Sequence, residues 1–222
     1  MSRPSASLLP VGTLAVVVSA MLATHVPWFG QWMAYDRGMI VQGQAWRLIT
    51  GHLYHYSALH LWNNLLPLVV IGTWLEKKSR VCFAAGCLLT ALVVGFGLFF
   101  ARPSMGRYGG LSGILCSLLA FYGFSLSVDR GTIRWIGFVT LAALILKTGY
   151  ELLSGQACLI DWNRHGFVVV PLSHLFGMLA GTVWFLLQSV LAIDCSAFAA
   201  VIGLGAEGPG ARRWQSNHFN PF

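Results

Sequence analysis

The chain has 222 residues, 56% of them hydrophobic and 9% charged, whereas a soluble domain carries about 25% charged residues. So few ionic side chains cannot wet a soluble surface of this size, and lipid is the expected solvent for most of it. The formal net charge of +7 comes from basic residues that form no stripe beside stacking aromatics, which argues against a nucleic-acid partner.

Six hydrophobic runs follow in chain order, at about 8–29, 59–75, 81–101, 111–127, 132–153 and 167–193. Backbone groups in lipid must be satisfied within their own segment, so each run is expected to be a helix and the fold an all-α, six-helix membrane bundle. Residues 1–205 form one polytopic membrane domain in this reading. The tail 206–222 is polar, carries Gly and Pro, and is expected to be disordered. The first run is too long for a signal-peptide core, and no convincing cleavage site ends it. The five cysteines, Cys82, Cys87, Cys116, Cys158 and Cys195, form no CxxC and no disulfide ladder; four of them sit in or beside apolar runs and read as small packing residues.

With six spans, the loops at 76–80 and 128–134 share one side with both termini. That side holds Arg3, Lys77, Lys78, Arg80, Arg130, Arg134, Arg212 and Arg213; Arg37, Arg47, Arg102, Arg107, Lys147 and Arg164 lie opposite. The positive-inside rule then puts both termini in the cytoplasm. In that orientation the second, fourth and sixth helices all run inward. Their polar residues, His60 and Asn64, Ser112, and His174, fall at one depth below the outer surface. Polar groups within spans are costly and are candidates for function.

Ser112 sits in Tyr108-Gly109-Gly110-Leu111-Ser112-Gly113. Glycines before a helix start let the backbone bend closely, and the positive end of the helix dipole favours developing negative charge there. Serine needs a base to act as a nucleophile, and His174 is a candidate; otherwise Ser112 is a helix N-cap and His174 a satisfied core histidine. His60 and Asn64, spaced i, i+4, share a helix face. They are either the donor pair that an acyl-transfer oxyanion needs or an interhelical hydrogen bond. His52, His55 and His60 lie close in sequence, but no acid accompanies them and their spacing is not that of a zinc site, so no metal is expected. Gly177 and Gly181 form a GxxxG one turn after His174, which permits close helix approach to the small face Ser112–Cys116–Ala120.

Together these residues resemble the rhomboid family of intramembrane serine proteases. The resemblance spans roughly residues 40–190. It rests on Trp46-Arg47 in the first long loop, then His55, His60 and Asn64, then Gly110-Leu111-Ser112-Gly113, then His174-x-x-Gly177-x-x-x-Gly181. It implies a serine endopeptidase with a Ser112–His174 dyad and no third acid, needing no cofactor and cutting transmembrane protein substrates near the outer face of the bilayer. It also implies an oxyanion site made by His60, Asn64 and the Ser112 amide, and structural roles for Trp46, Arg47, Gly110, Gly113, Gly177 and Gly181. Many rhomboids carry an aromatic one turn after the serine, stacked on the histidine; here that position is Cys116. The stretch Lys147-Thr148-Gly149-Tyr150-Glu151, with Val168-Val169-Val170-Pro171-Leu172-Ser173 before His174, looks like the rhombosortase branch. That branch implies a bacterial inner membrane and C-terminal Gly-Gly sorting signals as substrates. Lys147 and Glu151, at i, i+4, read as a salt bridge at a helix end. The alternatives are an inactive rhomboid-like protein that binds client helices, and a small transporter using buried His and Asn as a relay.

Overall fold

The structure is a computed structural model, and it describes residues 9–158 and 170–191. Arg3, Arg164, Val168, Val169, Cys195, Arg212, Arg213 and the tail from 206 lie outside the described residues, as do the domain limits drawn there.

The first apolar run is not one straight helix. α1 (Val11–His25) stops at Val26, and α2 (Pro27–Met33) leaves at 112° to it. The cause is Pro27, which has no N–H to donate and pushes the residue before it out of the helical region; Val26 is extended at φ −106°, ψ 102°. The long loop that follows contains β1 (Tyr35–Asp36), two short helices, α3 (Arg37–Val41) and α4 (Arg47–Thr50), and a 3₁₀ turn at Gly51–Leu53. β1 pairs antiparallel with β2 (Arg107–Tyr108), Tyr35 opposite Tyr108, which ties this loop to the segment leading into Ser112.

The remaining runs each contain one helix: α5 (Ala58–Lys78), α6 (Arg80–Ala101), α7 (Ser112–Ser127), α8 (Ile133–Ser154) and α9 (Pro171–Leu191). Of these, α5, α6, α8 and α9 are long and apolar enough to cross a membrane; the bent α1–α2 pair would make a fifth span, and α7 is shorter. The protein is an all-helical, multi-pass membrane bundle. Large apolar side chains such as Val139, Leu146 and Leu153 on α8 are exposed, as a lipid-facing surface requires.

α7 is the central helix, and most of its residues are buried. Its Leu111–Leu118 stretch packs with Leu61, Leu65 and Leu68 of α5 and with Ala91 of α6, and the Phe121 ring stacks on Trp184 of α9 at 3.9 Å. Across α6–α7, Thr90 donates to the buried Ser117 hydroxyl at 2.7 Å. α7 and α9 run parallel with their backbones touching. A Cβ placed on Gly177 would fall 2.0 Å from the Gly113 carbonyl oxygen, and one on Gly181 would fall 2.2 Å from that of Ser117. Real Cβ contacts are never this short, so only glycine fits at either position.

The cysteines do not all pack as expected. Cys87, Cys116 and Cys158 are free thiols, whereas Cys82 is disulfide-bonded.

Candidate functional site

Ser112 is the first helical residue of α7 and is half-buried. The cap position is Leu111, which provides no side-chain cap, so the Ser112 hydroxyl is not the N-cap that the bland sequence reading supplied. The turn before it depends on Gly110, whose φ of +119° lies where L side chains rarely go. A Cβ there would also meet the His60 ring, 2.7 Å from Cε1 and 2.8 Å from Nε2. His60 therefore lies directly against the backbone that leads into Ser112.

His55 supports the same turn from below. Its Nε2 accepts from the Leu111 N–H at 3.4 Å, while Nδ1 contacts the Leu53 carbonyl at 3.0 Å and the ring meets that of His60 edge to face at 4.9 Å. Both contacts are satisfied by one neutral tautomer, with the proton on Nδ1. Burial, with the neighbouring His60 adding to it, pushes the His55 imidazole down to about 3, so it stays neutral at working pH. His52 contacts the Ala91 carbonyl at 3.1 Å, and its ring meets that of Tyr108 edge to face at 5.5 Å.

α5 brings His60 and Asn64 to this level. Its N-cap is Ser57, whose hydroxyl accepts from the His60 N–H at 3.1 Å. Asn64 is 4% exposed and donates one amide N–H to the His60 carbonyl at 2.8 Å, which leaves its second N–H for another acceptor.

α9 brings His174. The helix begins at Pro171, later than the run at 167 suggested, so His174 is its fourth residue rather than two turns in. The Gly113 position meets the Ser173 carbonyl (2.9 Å from a Cβ there) and the Gly177 position meets the Gly113 carbonyl. The residues on either side of His174 thus touch the residue after Ser112. His174 is 6% exposed and also lies within electrostatic reach of His60.

An acid stands beside His174, where the resemblance implied none. Glu151, in the last turn of α8, places Oε2 at 2.6 Å from His174 Nδ1. The same oxygen accepts from Lys147 Nζ at 2.8 Å, and that Nζ is 3.1 Å from His174 Nδ1. The i, i+4 salt bridge read from the sequence is present, but it is part of a three-residue cluster. No sequence rule linked residue 151 to residue 174. The available signal was a carboxylate that is buried only if something pairs with it inside the membrane.

Two further residues hold the outer loop. Arg47, buried, donates to the Gln44 side chain and to the carbonyls of Gln31 and Ala34, each at 2.7 Å. Trp46 packs against Trp32, with ring centroids 5.6 Å apart.

A hydroxyl at a helix start, an imidazole on the touching helix with Nδ1 held by an acid, and a second imidazole against the turn before the serine are among the parts used in acyl transfer. The chain is 31% identical over 123 residues to Rhomboid protease GluP of Bacillus subtilis (strain 168), covering 53% of this chain and 23% of that protein. It is 29% identical over 130 residues to Rhomboid protease GlpG of Enterobacter sp. (strain 638), covering 56% and 46%. It is 27% identical over 154 residues to RHOMBOID-like protein 5 of Arabidopsis thaliana, covering 65% and 47%. The chain thus matches between about a quarter and a half of the length of these relatives. The family model for the Rhomboid domain matches residues 42–190, which take in Arg47, His60, Asn64, Ser112, Glu151 and His174, and the chain belongs to the rhomboid family.

Proposed function

We propose that this protein is an intramembrane serine endopeptidase that cleaves transmembrane protein substrates near the outer face of the membrane. His174 takes the proton of Ser112, whose oxygen attacks the scissile carbonyl. The Ser112 amide, His60 and Asn64 hold the oxyanion. Water then hydrolyses the acyl-enzyme, with His174 returning the proton to the leaving amine in the first half and activating the water in the second. No cofactor enters these steps. The observation that carries the reading is the contact of Gly177 with Gly113, which packs α9 on α7 one turn from His174 and one residue from Ser112. An inactive client-binding protein has no need to keep both Ser112 and His174 beside this contact.

The orientation belongs to the same proposal. The basic loops at 76–80 and 128–134 face the cytoplasm with both termini, in a bacterial inner membrane, and the Ser112 end of α7 faces outward. The substrate class proposed is a protein whose C-terminal tail reads Gly-Gly, hydrophobic helix, basic end.

The test is co-expression with a secreted reporter bearing such a tail. Wild-type protein releases the reporter and Ser112→Ala does not. Equal release from a tail with the Gly-Gly pair replaced by Leu-Leu contradicts the sorting-signal specificity alone. Release by Ser112→Ala at the wild-type rate contradicts the mechanism. A reporter fused at Arg130 that reads the outer compartment contradicts the orientation.

A further inference from the structure

We infer that Glu151 is a positioning residue for His174, its carboxylate orienting the base of the Ser112–His174 pair; this rests on the protease reading above. An ionised carboxylate only accepts hydrogen bonds. A contact of 2.6 Å between Glu151 Oε2 and His174 Nδ1 therefore requires the imidazole proton to sit on Nδ1. That tautomer leaves the lone pair on Nε2, the nitrogen that must act as base. The short contact also fixes the ring plane, and the carboxylate's charge stabilises the imidazolium formed when Ser112 loses its proton.

The surroundings fit this role. Glu151 is 2% exposed, so its charge needs compensation inside the bundle. Lys147, one turn earlier on α8, supplies it through the same oxygen. The approach of α8 to α7 is built by small residues. At one level Gly137 and Gly123 abut, with a Cβ on Gly137 falling 2.5 Å from the Gly123 carbonyl. At the other, Cys116, one turn after Ser112, packs with Leu144. An aromatic side chain at 116 would occupy the space between these helices. The small thiol therefore goes with an α8 close enough for Glu151 to reach the histidine.

The charged and titratable groups facing His174 are Glu151 and Lys147 from α8 and His60 from α5; the Cys116 thiol of α7 is within electrostatic reach of the Lys147–Glu151 pair. The two α8 residues act on the imidazole with opposite sign. The carboxylate favours its protonated form and the ammonium disfavours it, and this gives a signature that a merely structural acid lacks.

The experiment is the rate of Ser112 labelling by a fluorophosphonate in detergent-solubilised full-length protein, followed against pH. The rate rises with pH as the histidine loses its proton. Glu151→Gln is expected to slow labelling by roughly tenfold or more and to move the midpoint of the rise to lower pH. Glu151→Asp recovers part of the rate. Lys147→Met moves the midpoint to higher pH. The inference is overturned if Glu151→Gln labels at the wild-type rate, or labels slowly with an unmoved midpoint, as a purely structural carboxylate would. Should Glu151→Gln fail to fold, the decision passes to Lys147→Met, where an unmoved midpoint overturns it. Wild-type protein that never labels at Ser112, or labels equally after His174→Ala, refutes the protease reading instead, so the two failures are distinguishable.

Discussion

Asn64 shows how much a single side chain can carry. It is buried, and one of its two amide hydrogens is spent on its own helix at the His60 carbonyl. The bond fixes the amide plane, so the second hydrogen has a set direction. Removing one preorganised oxyanion donor typically costs about 2.7–4 kcal/mol of transition-state stabilisation. Asn64→Ala is therefore expected to cut turnover by roughly 10²–10³-fold while the protein still melts cooperatively. Turnover at the wild-type rate in detergent would remove Asn64 from the oxyanion site. At this scale the sequence was informative wherever a residue type is unusual for a membrane span. Ser112, His174, His60 and Asn64 stood out because polar groups are rare in spans. Glu151 also stood out, but its i, i+4 neighbour Lys147 offered a sufficient local explanation. Its partner in space lies 23 residues away on another helix, a distance that no local pattern encodes.

At the scale of elements, helix ends were the least legible part. The run Glu76-Lys77-Lys78-Ser79-Arg80 reads as a charged stop between two spans, and it is one: Ser79 alone separates α5 from α6 and caps α6 by accepting from the Cys82 N–H. Glu76 has a second task. Its buried carboxylate accepts from the Gly12 and Thr13 N–H groups, each at 2.7 Å, and from the Thr13 hydroxyl at 2.9 Å. The two N–H groups are orphan donors of the first turn of α1, at the positive end of that helix. A residue at the end of α5 thus caps a helix 63 positions earlier. Glu76→Ala leaves buried donors unsatisfied, each costing about 1–3 kcal/mol. Destabilisation of roughly 3 kcal/mol is expected, read as a lowered melting temperature in detergent, with a smaller loss for Glu76→Gln. An unchanged melting temperature in Glu76→Ala would show that α1 does not depend on this cap. The bend between α1 and α2 was legible in principle, since Pro27 stands inside the first apolar run, but hydropathy alone passes over it.

For the whole molecule, composition and hydropathy led to the correct fold class because lipid permits so few solutions: with no water to satisfy the backbone, an apolar segment becomes a helix. Which helices touch was harder to read. The Gly177–Gly181 pair pointed to a close contact with the Ser112–Cys116–Ala120 face of α7; the structure places it one residue round the helix, against Gly113 and Ser117, while Cys116 and Ala120 cluster with Leu144 of α8. The approach of α8, built on Gly123, Gly137 and Cys116, carries no comparable motif and was missed, and with it the acid at His174. The account as a whole depends on α7 and α9 delivering a base to Ser112. A serine hydroxyl without a base is weakly nucleophilic, so the direct measurement is covalent labelling by a serine-directed fluorophosphonate, with the modified residue located by mass spectrometry. The account predicts an adduct on Ser112 in the folded wild-type protein, no adduct after His174→Ala, and an unchanged adduct after Ser154→Ala. Folded wild-type protein that carries no adduct at Ser112, or an equal adduct without His174, would contradict it.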